Sequence, residues 1–283
     1  MHNKLIIGLI TFILIVGLLY LYAYFFGTIG LNVKEYRVRK KSFSEEYNGL
    51  KIAHISDLHY GNHISNDKVK KLVEEVNSLK PDIIFITGDL VDNAITKKQH
   101  KDLVDILKNL EASINIFAVK GNHDTYYKKY DSLISEAGFI KLDDRFEKIY
   151  LDENNFIFLA GLSDSIFNAK STKDRFEDIN NEITAKENMD GCILKLLLIH
   201  EPDYIEQINF NSFDIIFSGH SHNGQVRLPL IGSLYEPIGS KKYYKEFYKL
   251  DNTDLYISSG VGLSWLPIRL FNKPSFNFYR ITK

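Results

Sequence analysis

The chain has 283 residues, 45% of them hydrophobic, and a formal net charge of −1. That size suits one large domain or two small ones with a sizeable core, and the near-neutral charge lacks the basic stripe of a sequence-independent nucleic-acid binder, so nucleic acid is not predicted as a partner. A single cysteine, Cys192, excludes an intrachain disulfide framework and a thiolate-rich metal cluster.

The first element is unlike the rest. From Leu5 to Val33 no residue is charged, and Leu5 to Phe26 is almost unbroken apolar and aromatic sequence. At about 1.5 Å per residue it is long enough to cross a hydrocarbon core of roughly 30 Å. A buried soluble helix would show a polar stripe, and a cleaved signal peptide would have a shorter apolar stretch and a small-x-small site. Residues 1–32 therefore read as a membrane anchor, with a transmembrane helix at about 5–26 and Tyr20, Tyr22 and Tyr24 in the place of an aromatic belt. This places the protein at the cell membrane as a single-pass chain with the lipid bilayer as a partner. Lys4 precedes the helix and Lys34, Arg37, Arg39, Lys40 and Lys41 follow it. That count favours a cytoplasmic domain, but a long following domain is able to override it, so both orientations stay open. NVKEYRVRK (32–40) alternates, yet places Val33, Tyr36 and Val38 on one sheet face only with a bulge.

Residues 33–283 read as one domain that follows the anchor. Short apolar runs at 51–56, 82–87, 114–119, 156–161, 193–200, 213–219 and 254–260 alternate with helical patterns, the α/β signature of stacked βαβ units. The segment 66–80 has Val69, Leu72, Val73, Val76 and Leu79 on one helical face and Pro81 just beyond. Further helices are predicted over Thr96–Leu110, Tyr126–Ala137 and Lys173–Asn188.

The residues just past the strands carry the chemistry. Asp57 and His59 come after the first, Asp89 after the second, and Asn122, His123 and Asp124 after the third; His200 closes another, and His220 and His222 a further one. Strand carboxyl ends share a crevice in α/β sheets, so these residues converge. A lone Asp or His after a strand is more often a helix cap or loop residue. Five strand ends finishing this way together are hard to ascribe to chance. Carboxylates, imidazoles and one carboxamide without thiolate suit Mn²⁺, Fe²⁺/Fe³⁺ or Zn²⁺, and they outnumber the needs of one ion.

These residues fall into ordered motifs: D-x-H at Asp57–His59, G-D-x-x-D at Gly88–Asp92, G-N-H-D at Gly121–Asp124, an isolated His200, and G-H-x-H at Gly219–His222. The set resembles the calcineurin-like metallophosphoesterases. LLIHEPD, GHSHNGQVRLP and SSGVGLSWLPIR are similar to the YkuE-like bacterial branch, which often carries an N-terminal membrane or export segment. The resemblance implies a four-layer αββα sandwich, here preceded by one transmembrane helix, and two metal ions, manganese first and iron or zinc as alternatives. It assigns Asp57, His59, Asp89 and His222 to one ion and Asp89, Asn122, His200 and His220 to the other, with Asp89 shared. It also implies His123 as proton donor to the leaving group, oriented by Asp92, and hydroxide supplied by the paired ions attacking phosphorus in line. Protein Ser/Thr phosphatases of this family carry Arg directly after the residue matching Asp92. Here it is Asn93, which disfavours a protein phosphatase. Asn223 and Ser275 also depart from the branch, at positions that are not ligands.

Of the remaining residues, His54 reads as a core histidine and His63 as a loop histidine. Gln225, Arg227 and Arg269 are candidates to touch substrate phosphate, and residues 241–250 read as a half-buried strand. The leading function is a membrane-anchored phosphoesterase whose partner is a phosphate-ester substrate, a phosphodiester before a monoester and one at the lipid surface first. Soluble nucleotides or small phosphate esters form the enzymatic alternative. A non-catalytic metal-binding scaffold is the third reading, set against a ligand set in which every position is filled.

Overall fold

The computed structural model describes residues 2–61 and 63–283. It opens with helix α1, His2–Phe25, which is long and apolar enough to cross a membrane and whose apolar stretch is not buried in the domain. Then come β1 (Asn32–Arg39), β2 (Leu50–Ile55), α2 (Asn66–Ser78), β3 (Ile83–Thr87), α3 (Lys97–Leu107), β4 (Asn115–Val119), α4 (Tyr130–Glu136) and β5 (Ile140–Lys141). The second half holds β6 (Arg145–Tyr150), β7 (Phe156–Leu162), α5 (Thr172–Thr184), β8 (Cys192–Ile199) and β9 (Ile215–Ser218). A small hairpin of β10 (Arg227–Leu228) and β11 (Gly232–Ser233) precedes β12 (Phe247–Leu250), β13 (Thr253–Ile257) and β14 (Ser275–Thr282).

The strands make two six-stranded sheets, ordered β1-β14-β2-β3-β4-β5 and β12-β13-β9-β8-β7-β6. Three apolar layers hold them. Ile52, Phe85, Phe117, Leu196, Phe217 and Tyr279 fill the space between the sheets. Val69, Leu72, Val76, Leu103, Leu107 and Leu133, from α2, α3 and α4, cover the outer face of the first sheet. Phe176 and Ile179 of α5 cover the second, against Phe158, Leu197 and Ile216. The result is a four-layer αββα sandwich, as the motifs led us to expect.

Local chemistry sets the helix starts. Ser65 caps α2 by accepting from Lys68 N, and Thr96 with Gln99 forms a reciprocal capping box on α3. The helix expected over 126–137 begins only at Tyr130, after a 3₁₀ turn at Asp124–Tyr126, and α5 ends at Thr184 before a second 3₁₀ turn. Residues 241–250 are extended only at 247–250.

The predicted bulge in the first strand is not there. β1 pairs with β14 in parallel and in unbroken register from Asn32↔Ser275 to Arg39↔Thr282. Val33 packs toward the helices while Tyr36 and Val38 face the inter-sheet core, so the edge strand uses both faces and needs no extra residue.

His54 sits in β2 with no exposed surface, its Nε2 2.7 Å from Thr87 Oγ1 and its ring against Phe217. Burial pushes its imidazole down to about 3, against about 6.5 in an unfolded chain. Between those values the unfolded state binds the extra proton, so this stability is full above pH 6.5 and is lost as pH falls. We expect the unfolding free energy of the detergent-solubilised chain to drop from pH 6.5 toward 4. In His54→Gln that dependence should be shallower by about 1.4 kcal/mol per pH unit, one proton's linkage. Denaturant titrations across this range check it, and equal slopes would refute it.

Candidate metal centre

Every residue of the predicted ligand set lies past the carboxyl end of a strand, but the strands belong to two sheets. Asp57, His59, Asp89, Asn122 and His123 come from β2, β3 and β4 of the first, and His200, His220 and His222 from β8 and β9 of the second. The loops interlock through the backbone, with Asp57 N–H donating to Gly88 O, His59 N–H to Asp89 O and Gly219 N–H to His200 O. Asp57, His59, Asp89, His220 and His222 all have positive φ, from +47° to +66°. That conformation costs a non-glycine residue about 1–2 kcal/mol, and strain concentrated this way belongs to functional sites. A side chain on Gly121 would collide with Asp89, and one on Gly219 with Ser56 and Asp57, so the motif glycines give the carboxylates their space.

The atoms converge in two groups. Ligating atoms of Asp57, His59 and His222 lie within 4.8 Å of one another, and so do those of Asp89, His200 and His220. Asp89 stands between them, its Oδ2 3.2 Å from His200 Nε2 and 3.6 Å from His59 Nε2. Hydrogen bonds outside each ring select the nitrogen that faces inward. His200 Nδ1 donates to Thr87 O (2.6 Å), which turns Nε2 inward toward Asp89, and His220 Nε2 donates to Ile238 O (2.7 Å), leaving Nδ1.

The electrostatics suit cations. Burial works against charge on Asp89, but His200, His59 and His123 around it hold its carboxyl well below the usual range. Burial pushes Asp57 up despite the attraction of His200. Burial and His200 push His220 down to about 3, and burial, His59 and Arg269 hold His222 well below its usual value, so both imidazoles are neutral donors at physiological pH.

The donor set fits metal on observations of the chain itself. Among the described residues, Asn122 Oδ1 is buried without a hydrogen-bond partner, a costly state for a protein polar atom, and the Asp57 and Asp89 carboxylates are both fully or almost fully buried, costly charges without a cation. His59 Nε2 and His222 Nε2 face each other at 3.1 Å inside a carboxylate-rich pocket. A cation between such groups removes both penalties.

A third group has a different build. Asp92 Oδ1 lies 3.3 Å from His59 Nδ1 and 3.1 Å from His123 Nδ1, and His123 Nδ1 is also 2.8 Å from Asp92 O. These bonds fix the ring and turn His123 Nε2 to the cleft. Burial opposes its charge, but Asp92 and Asp89 raise the His123 imidazole to about 9. His123 N–H donates to Asp89 Oδ1 (2.8 Å), tying the two motifs together.

Of the three candidate phosphate contacts, two lie outside the cleft. Arg269 is fully buried, donating through Nη2 to the carbonyls of Ser259, Gly260 and Gly262 and standing 3.2 Å from His222 Nδ1. It braces the loop behind His222 and has no exposed surface facing the cleft. Arg227 is bound to Asn223 O and Oδ1, both at 2.8 Å, and lines a neighbouring groove. Gln225 does line the cleft, but its amide is engaged with Leu266 O, Ile268 O and Ser264 N–H. His63 is half-buried and lies away from the cleft lining.

Sequence reasoning missed other residues. Asp124 is fully buried and accepts from Val91 N–H and Gly121 N–H, both at 3.0 Å, locking the loops after β3 and β4 together. The motif G-N-H-D was its signal. Tyr235, Pro237, Ser264 and Trp265 form the cleft wall opposite His123 and Asn122, and nothing local in their sequence announces it.

Comparison with known proteins agrees with this geometry. Residues 50–224 match the model of the calcineurin-like phosphoesterases. The chain is 26% identical over 265 residues to the uncharacterized metallophosphoesterase YkuE of Bacillus subtilis, covering 93% of this chain and 89% of that one. It is 27% identical over 279 residues to the UDP-2,3-diacylglucosamine pyrophosphatase LpxG of Chlamydia muridarum, covering 82% and 83%. Several longer relatives are spanned over 55% to 60% of their length. Among solved structures, GAP50, the anchor in the inner membrane complex of Plasmodium, superposes with a TM-score of 0.51 at 11% identity, covering 82% of this chain and 80% of that one, a likeness of fold. Ordered motifs, an αββα sandwich and a convergent Asp/His/Asn centre at the strand ends agree with the family match: this chain belongs to the calcineurin-like phosphoesterases, hydrolases of phosphoric ester bonds.

Proposed function

We propose that the chain is a membrane-anchored phosphoesterase that holds two metal ions and cleaves phosphodiesters in preference to monoesters, at or near a lipid surface. The observation that carries this reading is the pair of buried Asp/His clusters with Asp89 between them. Asp57, His59, Asp89 and His222 are the ligands of one ion, and Asp89, Asn122, His200 and His220 those of the other. Oxygen and nitrogen donors without sulfur favour manganese, with iron or zinc as alternatives. Helix α1 is the anchor, and a relative named for a diacylglucosamine-containing substrate supports a lipid-linked phosphate.

When bound, two such ions supply hydroxide at neutral pH and neutralise phosphoryl oxygens. The chain's own residues do the rest. Asp89 and Asp124 fix the loops that present the ligands. Asp92 holds His123 by Nδ1, so that Nε2 carries a proton toward the leaving oxygen. The cleft measures only about 130 Å³, below the roughly 300 Å³ at which pockets begin to enclose a whole small molecule. It therefore admits the phosphoryl group and leaves the remainder of the substrate at the mouth.

The test is hydrolysis of bis(p-nitrophenyl) phosphate and p-nitrophenyl phosphate by the full-length chain in detergent, stripped of metal and then resupplied with Mn²⁺. Turnover should return with metal and be faster on the diester. A faster monoester rate would overturn the diester preference, and metal-independent turnover would overturn the metal reading.

A further inference from the structure

The surface that runs from the β10–β11 hairpin to the mouth of the cleft is unusually apolar. The turn between β10 and β11 carries Pro229, Leu230 and Ile231, and the return segment carries Leu234, Tyr235 and Ile238. Ile231 is 71% exposed, Ile238 69% and Trp265 72%, while Leu230 is fully exposed at φ +69°, a conformation a leucine rarely adopts. Single exposed apolar residues are ordinary, whereas a clustered set beside a functional cleft marks a contact surface.

Its position relative to α1 identifies what it contacts. Leu19 and Ala23 of the helix pack on Leu228, Leu266 and Ile268, and Arg269 N–H donates to Ala23 O (3.2 Å). The base of the hairpin and the segment next to Trp265 are therefore fastened to the helix. A hydrocarbon core of about 30 Å takes about 20 helical residues, and counted from the residue after Lys4 it ends near Tyr24. Leu19 then lies about 8 Å inside the apolar zone by helical rise, and the elements packed on it are drawn to the same depth. The groove beside the hairpin supplies the matching charge, with Arg227, Lys245 and Lys273 near Phe271, itself 58% exposed, next to the Lys34–Glu246 ion pair. Apolar tips flanked by lysine and arginine suit an anionic bilayer surface.

We propose that the hairpin tip and its return to Ile238, with Trp265 and Phe271, form a second membrane contact beside the anchor, so that the cleft opens at head-group level onto amphiphilic phosphates lying in the bilayer. This rests on α1 being the anchor. Tyr235, Pro237 and Trp265 wall the mouth itself, so a substrate whose phosphate enters the narrow cleft keeps its apolar part against them, in the lipid.

Trp265 is the only tryptophan in the sequence, so emission excited at wavelengths beyond tyrosine absorption reads this surface alone. The full-length chain is reconstituted in vesicles of phosphatidylethanolamine and phosphatidylglycerol, with or without bromine at a shallow acyl position, and flotation records whether the chain is anchored. We expect brominated lipid to quench Trp265 and aqueous iodide to quench it weakly. Leu230→Asp combined with Ile231→Asp should relieve the bromine quenching and lower the ratio of rates on a fluorescent phosphodiester lipid and a soluble diester by about 10-fold, the loss of one or two buried aliphatic side chains. A chain that floats with the vesicles but shows iodide-quenched, bromine-insensitive Trp265 would overturn this proposal and leave the anchor standing. A chain that does not float would overturn both.

Discussion

Asp89→Ala is expected to abolish metal-restored phosphodiester hydrolysis, by about 10³-fold or more, well beyond the 10–100-fold that outer hydrogen-bond partners of a metal site cost. The reason is its position. It is the carboxylate between His200 and His59, at 3.2 Å and 3.6 Å, and its other oxygen accepts the His123 N–H at 2.8 Å. Removing it takes away the carboxylate that stands between the two clusters and frees the loop that carries His123. The variant should bind fewer metal ions than wild type by elemental analysis, while its circular dichroism stays that of a folded αββα domain. Asp89→Asn keeps an oxygen but not the charge, and should retain a fraction of the metal. A variant that kept both the metal and the rate would show that Asp89 is not shared.

His123→Gln is expected to lower kcat by about 10²–10⁴-fold on esters with alkoxide leaving groups, the usual worth of a positioned general acid, with metal content unchanged. The loss should be smaller with p-nitrophenyl esters, whose leaving group departs as a stable anion. The sign of the pH dependence is set by the ring's surroundings. Burial opposes its charge, but Asp92 and Asp89 raise the imidazole to about 9, so the acid form prevails at neutral pH and disappears as pH rises. Bound dications lower that value. Wild type should therefore show an alkaline limb at or below about pH 9 on alkyl esters, and His123→Gln should lack it. Equal losses on both leaving groups would show that His123 serves structure rather than proton transfer.

Much of the centre was legible in the sequence because its residues sit at fixed offsets from strong strand signals. Asp57, Asp89 and His220 each come within a few residues of an apolar run, and strand ends are where an α/β fold gathers its ligands. The part that was not legible is non-local. β1 and β14 pair although Asn32 and Ser275 lie far apart in sequence, and no local pattern records such pairing. The division of the ligands between two sheets is a property of packing, as is the left-handed backbone at five of them. Arg269 shows the limit most clearly: an arginine in a loop next to a motif reads as a phosphate contact, and only its four carbonyl partners, Ser259, Gly260, Gly262 and Asn272, reveal a buried brace. Trp265 and the hairpin base look like loop residues until the cleft is seen beside the one and helix α1 beside the other.

The most direct measurement is a titration of Mn²⁺ into the metal-stripped full-length chain, with bound metal counted and diester hydrolysis recorded at each step. Two ligand clusters joined by Asp89 predict that activity stays low through the first equivalent and saturates at the second. Full activity at one equivalent, or turnover with no metal bound, would contradict a dinuclear centre.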